Sequence, residues 1–238
     1  MTRFLFACDS FKGTISSARS AELLAEEASA FFPDATFDSL EVADGGEGTV
    51  DALVASLGGE RVTLTVSDPL GRPVEASYGL LPGGLAVIEM AAASGLPLLS
   101  LAERDPRLTS TYGTGELIAD AIARGVSDIT LAIGGSATND CGMGAMRALG
   151  ARFLDEFGAE LAGTGSDLAR VDSIDLSGMD GRVAQTSFHV MCDVDNPLVG
   201  PRGATYVFGP QKGADPACAD ELEAGMRSCA AVLAKTFG

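Results

Sequence analysis

The feature that most constrains the fold is an alternation of short apolar runs with helical patterns. RFLFAC, at residues 3–8, predicts a buried strand, and a helix capped by Ser17 follows it. TFDSLEV predicts the next strand, and TVDALVASL predicts a helix that ends at Gly58. A β-α-β-α beginning of this kind is typical of a mostly parallel sheet covered by helices. The sequence therefore predicts an α/β fold.

A change of rhythm after residue 59 predicts a second folding unit. Three runs, ERVTLTV, VEASYGLL and LAVIEM, predict an antiparallel meander with a turn at DPLGRP. Strand–helix alternation then resumes, and it ends on a helix capped by Asp215 with Pro216 in its first turn. We expect a domain boundary near residues 68–73, which divides the chain into residues 1–70 and 71–238.

Composition argues against several classes of function. The chain has 238 residues, 46% of them hydrophobic, and no run resembles a membrane span or a signal peptide. Five cysteines without CxxC spacing argue against a disulfide framework or a zinc site. The single histidine, His189, lies in a predicted strand, which argues against a histidine-dependent hydrolase. The net charge of −17 argues against nucleic acid as a partner. We expect a cytoplasmic protein.

Four polar loops each follow a predicted strand, at residues 9–14, 44–49, 134–144 and 193–213. In open α/β sheets, ligands bind beyond the carboxyl ends of the strands, and glycine lets the backbone approach them. Bare N–H groups in such loops suit phosphate. The spacing matches neither the Walker pattern nor GxGxxG, and any one loop equally fits a turn with hydroxyl caps. Four loops of one chemistry at one edge favour a phosphate site.

The charged residues of these loops indicate the chemistry. Carboxylates beside phosphate-binding glycines suggest Mg²⁺, and one of them could instead accept the proton of an attacking hydroxyl. The loop carboxylates are Asp9, Asp44, Glu47, Asp193 and Asp195. Two of the three lysines, Lys12 and Lys212, lie in loops beside a glycine, which predicts anion contacts. Arg202 is a further candidate for carboxylate recognition.

Six long motifs resemble the bacterial two-domain glycerate kinases, over residues 5 to about 215. They are DSFKGTISS, VADGGEGTVDAL, IEMAAASGL, GTGELI, IGGSATNDCGMG and CDVDNPLVGPRGATYVFGPQKGA. The resemblance implies ATP- and Mg²⁺-dependent phosphorylation of D-glycerate, usually at the 2-hydroxyl. It also implies a Rossmann-like parallel-sheet domain and a second α/β domain, with the active site in the cleft between them. Residues 1–70 would be the N-terminal part of the first domain, and residues 71–238 the second.

The loops and the resemblance together give a set of predicted site residues. The predicted catalytic residues are Asp193, Asp195, Lys12 and Asp44, with Asp44 and Asp193 as metal ligands. The predicted substrate- and nucleotide-binding residues are Asp9, Ser10, Gly45, Gly46, Glu47, Gly134, Gly135, Ser136, Thr138, Asn139, Asn196, Arg202 and Lys212. Asp193 is the preferred proton acceptor or Mg²⁺ anchor because it lies nearest the strand end.

Two alternatives stay open at this point. Members of the family continue for roughly another 140 residues, so the chain is expected to lack their C-terminal third. A non-catalytic fragment that binds nucleotide or carboxylate is therefore one alternative, and a kinase of another small hydroxy acid is the other. The expected partners are small molecules rather than nucleic acid or a membrane, and a homodimer is a further expectation.

Overall fold

The computed structural model describes residues 2–9, 11, 14–40, 45–46 and 48–237. Its strands are β1 (Arg3–Phe6), β2 (Thr36–Ser39), β3 (Glu60–Ser67), β4 (Pro73–Leu81), β5 (Leu85–Glu89), β6 (Asp128–Ala132), β7 (Arg152–Leu154), β8 (Ser173–Asp175) and β9 (Ser187–Met191). Its α-helices are α1 (Ser17–Phe31), α2 (Thr49–Leu57), α3 (Ala91–Ser94), α4 (Tyr112–Ala123), α5 (Met143–Ala148), α6 (Ala204–Phe208) and α7 (Pro216–Phe237). Short 3₁₀ helices include Gly165–Arg170 and Pro210–Lys212.

A five-stranded mixed sheet organises the structure, in the order β3-β4-β5-β6-β9. The β3, β4 and β5 strands run antiparallel, whereas β5, β6 and β9 run parallel. The predicted α/β class and the meander are both confirmed. The sheet is mixed because the short turns after β3 and β4 can join only antiparallel neighbours, while β6 and β9 are reached through longer crossovers.

The β1 and β2 strands form a separate parallel pair, with Phe4 opposite Phe37. The rings of Phe4, Phe6 and Phe37 stack on one side of this pair. Leu5 is 63% exposed, so the prediction of a buried first strand is wrong in this structure. The predicted cap of α1 is also wrong by one residue, since Ser16 accepts the hydrogen bond from the Arg19 N–H.

The turn between β3 and β4 is held by Asp68. Its carboxylate accepts hydrogen bonds from the N–H groups of Leu70 and Arg72 and from the Arg72 guanidinium. The predicted boundary between residues 70 and 71 falls inside this turn. Because β3 and β4 pair along their full length, β3 shares a sheet with the strands that follow it. The division of the chain into domains stays a prediction.

The core lies on both faces of the sheet. On one face α4 packs against the strands, and Tyr78, Ile88, Leu117 and Ile129 are fully buried there. Val87 belongs instead to a cluster under α2. Because successive side chains of a strand point to opposite faces, α4 and α2 cover opposite sides of the sheet. A further apolar cluster forms under α7, whose predicted start is confirmed by the Asp215 cap on the Cys218 N–H.

Two glycines allow α4 to approach its neighbours closely. A Cβ on Gly113 would overlap the carbonyl oxygen of Ser67, at the end of β3. A Cβ on Gly115 would overlap the carbonyl oxygen of Ala145 in α5 and lie 2.7 Å from its Cα. The GTGELI motif therefore has a packing role. Within the described part of the chain, no helix is long and apolar enough to cross a membrane.

We expect Gly115→Ala to destabilise the fold by about 2 kcal/mol or more, because the added methyl group overpacks the α4–α5 contact. Chemical denaturation followed by circular dichroism measures this. Gly181→Ala is the matched control, since a Cβ there meets no atom within 4 Å. Equal stability of the two variants would show that α4 and α5 separate without penalty.

Candidate active site

Three of the four predicted loops meet at the carboxyl ends of β5, β6 and β9. The Gly134 N–H donates to the Gly45 carbonyl oxygen at 3.1 Å. A Cβ on Gly134 would lie 3.0 Å from the Gly46 Cα, and a Cβ on Gly45 would lie 3.1 Å from the Met191 Cβ at the end of β9. The glycines of DGGEG and IGGSA therefore bring their two loops into backbone contact, beside the strand end that leads to Asp193.

These loops enclose a cavity of about 460 Å³, which we call the lysine cavity. Seven of the predicted site residues line it: Gly46, Gly134, Gly135, Ser136, Asp193, Asn196 and Lys212. They come from three stretches that are far apart in sequence. The structure thus places them at one site, as the prediction of a shared sheet edge requires.

Lys212 is the most informative residue of the lysine cavity. It is 8% exposed, and its Nζ donates to the Ser136 Oγ at 2.8 Å and to the Thr138 carbonyl oxygen at 2.5 Å. Among the described residues, no carboxylate forms an ion pair with it. Burial lowers the pKa of Lys212 to about 8, and the charge of Asp140 opposes this shift. A buried cation with two neutral partners favours binding of an anion, because the anion would offset its desolvation.

Backbone donors lie beside this cation. Gly134 uses its N–H within the protein, but the N–H groups of Gly135 and Ser136 make no hydrogen bond inside the described part of the chain. Gly135 has a φ of +74°, a conformation that favours glycine. Two free N–H groups next to a buried ammonium suit a phosphate group.

Asp140 holds the glycine loop in shape. Its carboxylate is fully buried and accepts hydrogen bonds from the N–H and Oγ1 of Thr111, at 2.8 and 2.7 Å. The N–H groups of Gly142 and Gly144 donate to it as well, each at 3.2 Å. Burial raises the pKa of Asp140, and these four donors oppose the shift. The sequence prediction missed this residue, although an Asp two residues before a glycine is typical of a turn closed by its own side chain.

The amide residues of the predicted site have structural partners. The buried Asn139 donates from Nδ2 to the Thr205 Oγ1 of α6 at 3.3 Å. Asn196 donates from Nδ2 to the Arg202 carbonyl oxygen at 2.9 Å. Asn139 thus ties the glycine loop to the loop that carries Lys212, and Asn196 closes the turn after β9.

The structure separates Asp193 from several other predicted residues. Asp193 is exposed and lines the lysine cavity. Asp9, Asp195 and Arg202 are also exposed, but they are not among the residues that line it. Thr138 is buried and contributes its carbonyl oxygen. The predictions for four further residues lie outside the described residues: Ser10, Lys12, Asp44 and Glu47.

The lysine cavity also has an apolar wall, to which Met191, Leu198 and Phe208 contribute. Small-molecule sites commonly combine such a wall with a few polar groups that fix orientation. Asp193 is the one acidic side chain among the described residues that line the cavity. A bound Mg²⁺ needs only one or two carboxylates when phosphate oxygens complete its shell, so the residues present fit a magnesium–nucleotide complex.

Fold and site together define an α/β protein with a cavity at the carboxyl edge of its sheet, lined by a buried lysine. Comparison with known proteins is more specific: the model of the glycerate kinase family matches residues 4–238. The chain belongs to the glycerate kinase family.

Several relatives are similar over nearly the whole chain. It is 46% identical over 237 residues to a glycerate kinase of Bacillus subtilis (strain 168), covering 99% of this chain and 62% of that protein. It is 45% identical over 236 residues to a glycerate 2-kinase of Escherichia coli (strain K12), with coverage of 99% and 62%. A crystal structure of a candidate glycerate kinase 2 from Salmonella typhimurium LT2 superposes with a TM-score of 0.87 at 45% identity, covering 98% of this chain and 63% of that one. The chain thus spans less than two thirds of the length of these relatives.

We expect Asp140→Asn to lower the free energy of unfolding by about 1–3 kcal/mol, because an amide nitrogen must then face a buried N–H donor. Thermal or denaturant unfolding measures this change. Asp180→Asn is the control, since Asp180 is exposed and pairs with Arg182 at the surface. A variant as stable as the wild type would mean that the loop keeps its shape without the carboxylate.

Proposed function

We propose that this chain carries out ATP- and Mg²⁺-dependent phosphorylation of D-glycerate to 2-phosphoglycerate. The observation that carries the proposal is the buried Lys212 in a cavity formed by three glycine-bearing loops. Membership of the glycerate kinase family supports the reaction class, and the relative named glycerate 2-kinase supports the regiochemistry. We assign the reaction to the cytoplasm and keep the homodimer as a prediction.

The lysine cavity supplies groups for each part of the nucleotide. Lys212 and the N–H groups of Gly135 and Ser136 would hold phosphate oxygens, and the apolar wall would receive the base. Asp193 would hold Mg²⁺, which supplies charge neutralisation on the phosphates when bound. This arrangement explains how a protein of net charge −17 can bind a polyanion. Lys12 and Asp44 stay predicted members of the site.

The decisive test measures ADP formation by the purified chain with ATP, Mg²⁺ and D-glycerate. Turnover with D-glycerate should exceed turnover with L-lactate or glycolate, and ³¹P NMR should show the 2-phosphate. Calorimetric titration with a non-hydrolysable ATP analogue runs in parallel. Nucleotide binding without turnover would identify a binding fragment instead, and equal turnover of several hydroxy acids would identify a broader kinase.

The affinity for nucleotide should weaken as the pH rises through about 8, because Lys212 then loses its proton and its charge. Bound phosphate favours the charged form and raises the pKa of Lys212 in the complex, so the affinity should begin to fall near pH 8 and level off above that higher pKa. Lys212→Met should bind nucleotide at least several-fold more weakly at pH 7 and show a much flatter pH dependence. Calorimetry at a series of pH values measures both effects.

Lys235→Met is the matched control for this variant. Lys235 lies exposed near the end of α7 and should leave binding unchanged. If Lys212→Met binds nucleotide like the wild type at every pH, Lys212 is a structural lysine that only closes the loop.

A further inference from the structure

A second cavity adjoins the lysine cavity. It has a volume of about 540 Å³, and Gly46 and Gly135 line both cavities. We call it the glutamate cavity, because Glu89 lines it at the carboxyl end of β5. Because both shared residues are glycines, neither of them places a side chain between the two cavities.

Glu89 is held in place by the first turn of α2. Its Oε1 accepts a hydrogen bond from the Val50 N–H, in the first turn of α2, at 2.7 Å. The residue is partly buried, and burial raises the pKa of its carboxyl. The hydrogen bonds from the backbone of Val50 and Gly48 and the charge of Arg61 oppose this shift, whereas Asp51 adds to it. A fixed, partly desolvated carboxylate at the carboxyl edge of a parallel strand is well placed to accept a proton.

The glutamate cavity also contains a group that suits a carboxylate ligand. Arg61 is the one basic side chain among the described residues that line it. Its Nη1 pairs with Asp51 at 2.9 Å, but a guanidinium has five N–H donors, so capacity for a ligand remains. Glu75 lines the same cavity and adds negative charge, so a bound acid has to be oriented toward Arg61.

We propose that the glutamate cavity holds the small hydroxy acid, with its carboxylate toward Arg61, and that Glu89 accepts the proton of its reacting hydroxyl. This inference rests on the proposed function and adds the location of the acceptor substrate and the identity of the base. The sequence analysis gave Asp193 two alternative roles, as proton acceptor or as Mg²⁺ anchor. With Glu89 as the proton acceptor, Asp193 keeps the second role.

The proposed step balances without a further reactant. The hydroxyl O–H bond of the acid breaks, and the proton passes to the Glu89 carboxylate. The hydroxyl oxygen forms a bond to the γ-phosphorus of the nucleoside triphosphate. The bond from that phosphorus to its bridging oxygen breaks, and the nucleoside diphosphate leaves with the electron pair. Transfer requires the hydroxyl oxygen and the γ-phosphorus to meet at Gly46 and Gly135, the two residues that both cavities share.

Glu89 is a better base than Asp193 on physical grounds. Asp193 is exposed, so water competes for its carboxylate in the absence of ligand. Glu89 is partly enclosed and its orientation is set by α2, so less reorganisation accompanies proton transfer.

The test is Glu89→Gln, because the glutamine carbonyl oxygen can still accept from the Val50 N–H while the basic carboxylate is lost. We expect kcat to fall by about 10²-fold or more, with nucleotide affinity and Tm close to the wild type. The wild-type kcat should fall at acid pH as Glu89 is protonated, and this limb should be absent from the residual activity of the variant. Among the described residues, Asp51 and Arg61 act on the charge of this carboxyl and Glu75 lines the same cavity, so the analysis of the pH profile includes the ionic states of all three.

Glu116→Gln is the matched control. Glu116 is also partly buried and also accepts a backbone N–H, that of Ser67, at 2.7 Å, but it lines neither cavity. It should retain wild-type kcat. If Glu89→Gln keeps its activity while the wild type phosphorylates D-glycerate, the inference is wrong and the proposed function stands. If Glu89→Gln is active and Asp193→Asn is inactive but still binds Mg²⁺ and nucleotide like the wild type, Asp193 is the proton acceptor.

If the wild type shows no turnover, the proposed function itself fails. A second measurement then tests whether D-glycerate binds in the glutamate cavity. In ¹³C NMR of protein labelled at the glutamate side-chain carboxyls, the Glu89 signal is assigned by its loss in Glu89→Gln. Addition of D-glycerate should move this signal, and a non-hydrolysable ATP analogue alone should not. A signal that responds only to the nucleotide, or to neither compound, overturns the assignment of the cavity.

Discussion

The buried Asp140 carboxylate is the interaction on which the candidate site depends. Its four hydrogen bonds join the residue before α4 to the glycines that begin α5, so the loop after β6 has one shape. That shape places the Thr138 carbonyl oxygen and the Ser136 Oγ where Lys212 donates to both. A buried carboxylate with four donors is stable there, whereas the same carboxylate without them would be strongly unfavourable.

Close backbone contact between loops is the second requirement. The Gly134–Gly45 hydrogen bond joins segments about ninety residues apart in the chain, and a Cβ would be tightly packed at Gly134 against Gly46 and at Gly45 against Met191. Close packing at glycine also occurs in α4, where Gly113 and Gly115 let the helix contact β3 and α5. These glycines reduce the distance between elements rather than provide flexibility, which explains why they occur within ordered structure.

Charge is distributed in a way that suits an anionic ligand despite the acidic composition. The ammonium of Lys212 is shielded from water, so its field acts mainly inside the cavity. Many of the acidic residues pair with arginines at the surface or cap turns, as Asp68 and Asp180 do. The overall charge of −17 and a local site for phosphate are therefore compatible.

The sequence alone determined the α/β class, the meander, the helix beginning at Pro216 and the edge of the sheet at which the polar loops lie, because periodicity and turn residues are local signals. It also predicted Gly134, Gly135, Ser136 and Lys212 as site residues, since bare loops after strands are unusual in an apolar chain, and these four residues line one cavity. Tertiary structure alone decided which of the described loop carboxylates line the lysine cavity: Asp193 does, and Asp195 is not among its lining residues. It likewise showed the hydrogen bonds of Asp140 to Thr111 and of Glu89 to Val50, which lie 29 and 39 residues away in the chain, and it showed that β1 is partly exposed. Burial and side-chain direction depend on residues distant in the chain, and a local pattern contains no information about them.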